Sequence, residues 1–476
     1  MNVSIPAYSV FPEPALSFHP ERSEDRDAHP LRGLIRYGPY SRSFSGQLDP
    51  IRVATIAPSQ DQRRLSSFLT ELTQPCQPQE RHDYLIDWPG FERVFRLRVT
   101  RAAQGCHIGL ADDLNRLHDT PRPHLVLARA LSRALTVLQT RRADFDVVFV
   151  YLPDRWSDGF TGDVDDFDLH DFLKAITAEQ DLPSQILREG SALAYPCRAS
   201  VMWRVGTALY VKAGGVPWKL ATFDPETAHI GLSYAIKPRI ESSPQYVTCC
   251  SQVFDADGTG LEFIAYDTSD AVISRENPFL TRTEMARLMA RSLSLYQRRH
   301  AGTSPRRIVV QKNSEFKKEE IDGCFDAFEP VTEKIELLQV QQSSGWRGVQ
   351  IDPPMSGSPK GQAAAFPLSR GTCLPLGTRE ILLWTQGTQA GIAERGRRYY
   401  KEGRTIPEPL KLVRFAGHGP LSEPARDVLG LTKMNWNNDG PHDRLPVTLS
   451  YAHVLARTIK RFATLASRPY QFRFFM

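Results

Sequence analysis

No stretch of the 476 residues approaches the roughly 18 to 20 consecutive apolar residues that a bilayer-spanning helix requires. The opening MNVSIPAYSVFPEPAL lacks a basic lead and is broken by Pro6, Pro12 and Pro14, so neither export nor membrane insertion is expected. Cysteine is scarce and unpatterned. There are seven, Cys249 and Cys250 adjacent and no CxxC pair among them, which offers no zinc or dithiol redox motif and fits reduced thiols in a cytoplasm. A large excess of either charge is missing too: 59 Lys+Arg against 54 Asp+Glu leaves +5, so a nucleic-acid surface would have to be a local patch and not a basic coat. Repeats, heptads and a dinucleotide fingerprint are absent. What is present, 41% hydrophobic and 24% charged residues over this length, is enough for two or three ordinary domains with cores of their own.

The first stretch, 1–44, is rich in Pro, Ser and charge but carries Leu16, Phe18, Leu31, Leu34 and Ile35, the pattern of an extended strap packed on a later domain. From Ile51 short apolar runs of strand length (IRVATIA, DVVFVYLP, SQIL) alternate with helical spacings (DQRRLSSFLTEL, DLHDFLKAITAEQ, ASVMWRVGTALYVKA). Strands alternating with helices imply a parallel sheet, so 45–213 reads as a doubly wound α/β domain. A second domain, 214–476, opens with HIGLSYAI, VTCCSQVF and LEFIAYD as a meander and continues with a long helix and the strands RRIVVQKNS, EKIELLQV and ILLWTQG. It closes on a C-terminal helix, the element order of an RNase H-like sheet.

Chemistry concentrates in the first domain. His170 and Lys174 lie four apart on one helix opened by Asp168 and therefore share a face, and Gln185 follows just past the next turn. Lys212 ends the next helix, directly before Gly214-Gly215, where backbone can approach a ligand closely. Two ammonium groups, an imidazole and an amide suit an anion, above all a terminal phosphate. The tail QFRFFM puts three phenylalanines at the chain end, which reads as a core plug, and the seven tryptophans read as core residues except Trp218 and Trp436, whose places in the motifs KAGGVPWKL and LTKMNWNN say only that they matter to the fold.

The set His170/Lys174/Gln185/Lys212, followed by KAGGVPWKL and the HIGLSYA strand, resembles the 5′-phosphate pocket of an Argonaute MID domain leading into its PIWI domain. EPALSFHP with GLIRYGPY, IVVQKNSEF, and LTKMNWNNDGPHDRLPVTLSYAHVLARTIKR agree in order and separation, and together these motifs span nearly the whole chain. The chain is similar to the short prokaryotic Argonautes, which consist of MID and PIWI only. The resemblance implies a Rossmann-like MID domain followed by an RNase H-like PIWI domain.

PIWI cleavage needs carboxylates that hold two metal ions. By the resemblance the first acid position is Ser233 and the second Asn313, beside Lys312, while 431–438 contains no acid and Asp439 is displaced. A hydroxyl and an amide are poor ligands for divalent ions, so no slicing is expected; the rival reading is a nuclease using Asp439 or Asp443, and a third is a structural subunit with a vestigial pocket. The resemblance further implies a 5′-phosphorylated guide RNA, a single-stranded DNA target from an invader, and a Mg²⁺ ion bound with the guide phosphates near Gln185 and the Met476 carboxylate. It also implies a partner bearing an APAZ region fused to a TIR, sirtuin-like or nuclease effector, joined to this chain as a heterodimer in antiviral defence. The basic loop with Arg395, Arg397, Arg398, Lys401 and Arg404 interleaves Tyr399 and Tyr400, a pattern suited to single-stranded nucleic acid, and Arg457, Lys460 and Arg461 are weaker candidates of the same kind.

Overall fold

A computed structural model describes residues 7–43, 49–80, 82, 84–162, 167–221, 224–236, 247–268, 270–274, 277–352, 361–389, 392, 406–461 and 469–476. They divide into two compact units. The first holds 17–219 with 436–439 and 454–476; the second holds the described part of the first sixteen residues with 220–435 and 440–453.

In the first unit β1 (Ile51–Pro58) is the centre of a parallel sheet. It is flanked on one side by β2 (Val99–Arg101) and β3 (His107–Leu110) and on the other by β4 (Val147–Leu152) and then β5 (Ser184–Arg188). Every residue of β4 is buried, as expected of a parallel strand covered on both faces. Helices α1 (Pro30–Tyr37), α2 (Gln62–Thr73), α3 (Pro123–Gln139), α4 (Leu169–Glu179) and α5 (Arg198–Lys212) belong to this unit. Leu127, Leu131, Leu135 and Leu138 recur at helical spacing on α3 and pack into one core with Val148, Val150, Leu169 and Leu173.

The second unit is built on a nine-stranded mixed sheet. β6 (Thr227–Ile236), β7 (Val247–Asp255) and β8 (Gly260–Thr268) form the antiparallel meander read from the sequence. β9 (Arg307–Lys312) and β10 (Lys334–Gln341) then add parallel to β6, and β11 (Thr372–Pro375), β12 (Glu380–Leu383) and β13 (Leu410–Ala416) complete the far side. Residues alternate between faces. Ile308, Val310, Ile335 and Leu337 pack with α6 (Arg282–Arg299) and α7 (Lys318–Phe328), while Leu338 and Val340 pack with α8 (Ser422–Leu431) and Leu449 of α9 (Val447–Arg461). Helix α9 crosses its face over Gly231, where a Cβ would stand 2.0 Å from the Thr448 carbonyl oxygen, so no other residue fits there.

Three expectations change. The strap of 1–44 does not travel as one piece: Ser9–Val10 adds an antiparallel strand to β11 in the second unit, where Glu13 is held by buried Arg370 (3.0 Å) and Lys433 (2.9 Å). Phe18 belongs to the first unit and fills the space a Cβ at Gly33 would need. The division also falls at 219/220, after the expected 213/214, because Trp218 packs edge-to-face on Trp436 within the first unit. Of the tryptophans, Trp346 is 47% exposed, contrary to the core reading.

Candidate functional site

Asp168 opens α4 as the sequence suggests: its side-chain oxygen accepts the Asp171 N–H at 3.0 Å, capping the helix. Leu169 and Leu173 turn into the core, and this rotation places Lys174 in the interior, 7% exposed. Its Nζ donates to the Phe475 carbonyl at 2.8 Å. Lys212, the last residue of α5, is 1% exposed and donates to the main-chain oxygen of Met476 at 3.1 Å and more weakly to that of Arg473 at 3.4 Å. The helix can end there because Gly214 takes φ +100° and Gly215 leaves room for the Tyr210 ring, 2.3 Å from where a Cβ would stand.

The tail presents those oxygens because its side chains are anchored. Phe474, Phe475 and Met476 are buried, Phe475 packs edge-to-face on Tyr470, and Phe472 packs on Trp436. The core-plug reading of QFRFFM therefore holds, and the plug closes on the two lysines. Arg473 returns a hydrogen bond from Nη1 to the Lys212 carbonyl at 3.3 Å, while its buried Nε has no partner.

Burial dominates the electrostatics. It pushes the Lys174 ammonium down to about 8, although nearby Asp171 pulls upward. Lys212 falls to about 7, because after burial the charges acting on it are Lys174 and Arg473, both of its own sign. Two crowded, desolvated ammonium groups of this kind have the chemistry to take an anion beside the tail oxygens they already meet.

The other expected members are placed less directly. His170 is half-buried; burial lowers its imidazole below the ordinary value, with Asp171, 3.8 Å away, acting in the opposite sense. Gln185 lies on β5 opposite Phe149, donates from Nε2 to the Ile186 carbonyl at 3.1 Å, and leaves Oε1 buried without a partner. Asp168, His170 and Asp171 offer ligand-type atoms within 4.8 Å of one another. That arrangement is a helix cap with an ion pair to an exposed arginine: Asp168 caps the Asp171 N–H, and Arg457 Nε reaches the buried Asp171 carboxylate at 3.2 Å. Arg457 thus serves an ion pair here, whereas the sequence suggested a nucleic-acid contact or a helix end.

In the second unit Ser233, within β6, and Asn313, just past β9, each lie one position beyond Leu232–Lys312, the last parallel pair of these strands. Neither carries a carboxylate. Asn313 Nδ2 lies 2.5 Å from His453 Nε2, and Gln339 Nε2 donates to the Asn313 carbonyl at 2.9 Å. Lys312 turns away into the core, where its Nζ meets Glu320 at 2.6 Å with both side chains sealed from solvent. The two reserve acids are engaged elsewhere: Asp439 accepts a hydrogen bond from the Ser200 hydroxyl, and Asp443 accepts from Asn435 at 2.5 Å. The basic loop with Arg395, Arg397, Arg398, Lys401 and Arg404 lies outside the described residues, as do the side chains of Lys460 and Arg461.

Sequence reasoning missed Arg473 and the Phe475 main-chain oxygen, while the resemblance brings the Met476 end of the tail to this pocket. The three phenylalanines announced burial, but nothing local in QFRFFM tells which lysines its carbonyls meet.

No family model matches the chain. In sequence it is 26% identical over 164 residues, 34% of its length, to an argonaute protein of Thermus thermophilus, 20% of which is covered. In structure it matches Clostridium butyricum Argonaute bound to a guide DNA and a 19-mer target DNA, with TM-score 0.64 at 15% identity, over 96% of this chain and 53% of that one. It also matches A. aeolicus Argonaute, with TM-score 0.61 at 13% identity, over 99% and 56%. The chain spans about half the length of these solved Argonautes. The two units are thus structurally similar to Argonaute MID and PIWI domains: the chain is similar in sequence to an argonaute protein over a third of its length and shares the Argonaute fold over nearly all of it.

Proposed function

We propose that this Argonaute homologue is a guide-binding protein that clamps the 5′-phosphate of a short RNA at Lys174 and Lys212 and captures complementary single-stranded DNA by base pairing, without cutting it. The observation that carries the reading is that two buried ammonium groups, from two different helices, donate to the main-chain oxygens of adjacent tail residues, Phe475 and Met476. Two lysines donating to phosphate oxygens, with His170 at the rim of the same helix, hold the guide end by charge and leave sequence recognition to pairing. Nucleic acid as a partner is supported by the guide and target held in the Clostridium butyricum neighbour.

The oxygen donors that a Mg²⁺ ion would draw on are the orphaned Gln185 Oε1 and the Met476 main-chain oxygen. With two ammonium groups adjacent, such an ion fits only beside guide phosphates, whose charge it would screen.

Absence of cutting rests on Ser233 and Asn313, a hydroxyl and an amide at the positions where two metal ions would need acids. A binder without a cutter requires an output, and we assign it to a cytoplasmic APAZ-bearing effector that this chain switches on during antiviral defence.

The test is to purify the protein from its host and label the 5′ ends of co-purifying nucleic acid with and without prior phosphatase. Short species that label only after phosphatase and vanish with RNase support the reading. A nucleic-acid-free preparation that also fails to bind synthetic 5′-phosphorylated guides overturns it. Target cleavage in Mg²⁺ or Mn²⁺ that is abolished by Asn313→Ala would replace it with the nuclease reading.

A further inference from the structure

The second unit contains a cavity of about 680 Å³ at the carboxyl ends of β9 and β10, lined among others by Phe279, Asn313, Glu315, Lys317, Gln339 and Gln341. Its size lies within the range of about 300–1,000 Å³ typical of small-molecule sites, and strand ends of a parallel sheet are where α/β folds place ligands. We infer that this cavity is a metal-independent binding site for a nucleobase bearing an exocyclic amino group.

Three features select that chemistry. First, the two charged side chains among these six cancel. The Lys317 ammonium donates to the Glu315 carboxylate, so the lining is close to neutral and favours neither a free phosphate nor a divalent cation. Second, three of the six are amides, and amides read base edges by paired donor and acceptor contacts. Third, one acceptor on a lining residue is unused. Asn313 Nδ2 faces His453 Nε2 at 2.5 Å, the Asn313 backbone is fixed by Gln339 at 2.9 Å, and Asn313 Oδ1 is left buried with no hydrogen-bond partner. A buried orphan acceptor is costly unless a donor arrives, and the amino group of adenine or cytosine is such a donor, with half-buried Gln341 able to donate to the neighbouring ring nitrogen. Uracil offers a carbonyl at the position of the amino group. Phe279 adds an apolar wall.

This site does not depend on whether the first unit carries a guide. The source of the base is either a free nucleoside or a base everted from a bound strand. Calorimetry and ligand-observed NMR of the whole protein with adenosine, cytidine and uridine up to 10 mM in EDTA decide the matter. Expected are saturable binding of adenosine and cytidine unchanged by EDTA, uridine at least about fivefold weaker, and a loss of about tenfold in Gln341→Ala, consistent with one lost hydrogen bond. Asn313→Leu should level the difference between cytidine and uridine, and both variants are checked for an unchanged thermal midpoint. Competition between adenosine and a single-stranded oligonucleotide would identify a strand base as the source; its absence would identify the free nucleoside. No saturable binding, binding that requires Mn²⁺ or Mg²⁺, or binding untouched in both variants overturns the site.

Discussion

Each unit buries lysine, and the two cases differ in what faces the ammonium group. Lys312 meets the Glu320 carboxylate at 2.6 Å, under the rings of Phe316 and Phe279 and beside the Tyr234 hydroxyl that also reaches Glu320. Lys174 and Lys212 meet main-chain oxygens of the tail, and Lys212 feels only like charges. A lysine sealed with its own counter-charge is finished structure. Lysines whose hydrogen bonds go to main-chain oxygens leave room for an anion's charge, and on the reading proposed above a guide phosphate supplies it. The distinction is physical, since removing one partner of a buried pair strands a charge, while removing a crowded cation relieves one.

The largest expected effect follows from the finished pair. Lys312→Met leaves Glu320 buried and uncompensated, which should cost about 3–5 kcal/mol of stability in urea unfolding. The double variant Lys312→Met/Glu320→Leu should recover most of that loss, and guide affinity at the first unit should not change. If Lys312→Met unfolds at the wild-type midpoint, the pair is not the internal neutralisation described here.

The unfinished pair predicts the opposite signature. Lys174→Ala/Lys212→Ala should weaken a 5′-phosphorylated guide by at least about 100-fold, since hydrogen bonds to charged groups contribute about 1.5–3 kcal/mol each. Preference over a 5′-hydroxyl guide should vanish, with the thermal midpoint held or raised. A vestigial pocket would show no change in guide affinity.

Much of this contrast is legible in the sequence, and the remainder is not for definite reasons. Asp168, the i, i+4 pair His170 and Lys174, and the Gly214-Gly215 stop are local signals of backbone geometry, so α4 and the end of α5 could be read directly. Strands β1, β4, β6, β9 and β10 announce themselves as apolar runs. What closes the site comes from far along the chain: Phe475 lies 301 residues from Lys174 and Met476 264 from Lys212, and a main-chain oxygen leaves no trace in residue type. The amide cavity gathers Asn313 with Gln339 and Gln341, one from a strand end and two from its neighbour, which only the parallel register brings together. Trp346 deceived because tryptophan usually packs inside.

A smaller effect should appear on titration. In guide-free protein Lys174 and Lys212 lose their protons near about 8 and about 7, below the ordinary 10.5 of lysine. A bound phosphate raises both, so the complex holds more protons than the free protein above pH 7. Guide affinity should therefore fall as pH rises from 7 to 9, by up to about tenfold per unit for each proton taken up. Stability of the guide-free protein moves the other way. The unfolded chain binds more protons than the folded one between about 7 and 10.5, so the lysines' contribution to stability rises with pH across that window. Parallel titrations of guide affinity and urea midpoint check both directions, and a guide affinity flat from pH 7 to 9 would exclude proton uptake by these lysines.

The smallest effect isolates the stronger of the two carboxylates, Asp171 and Asp168, that assist Lys174. Asp171 is 1% exposed, is paired with Arg457 at 3.2 Å, and pulls the Lys174 ammonium upward against burial. In Asp171→Asn that pull is gone, so Lys174 titrates lower and a larger share of it is neutral at pH 8. At pH 6 Lys174 is protonated in either protein, and guide affinity should match wild type. At pH 8 it should be a few-fold weaker, because the guide must first have the proton restored. Arg457 offers a competing outcome. Its guanidinium loses its partner in this variant, and if it swings toward the phosphate, affinity rises at both pH values. A deficit confined to high pH assigns Asp171 to tuning Lys174, whereas a gain at both values assigns it to restraining Arg457, and binding by 5′-phosphorylated and 5′-hydroxyl guides at the two pH values separates them.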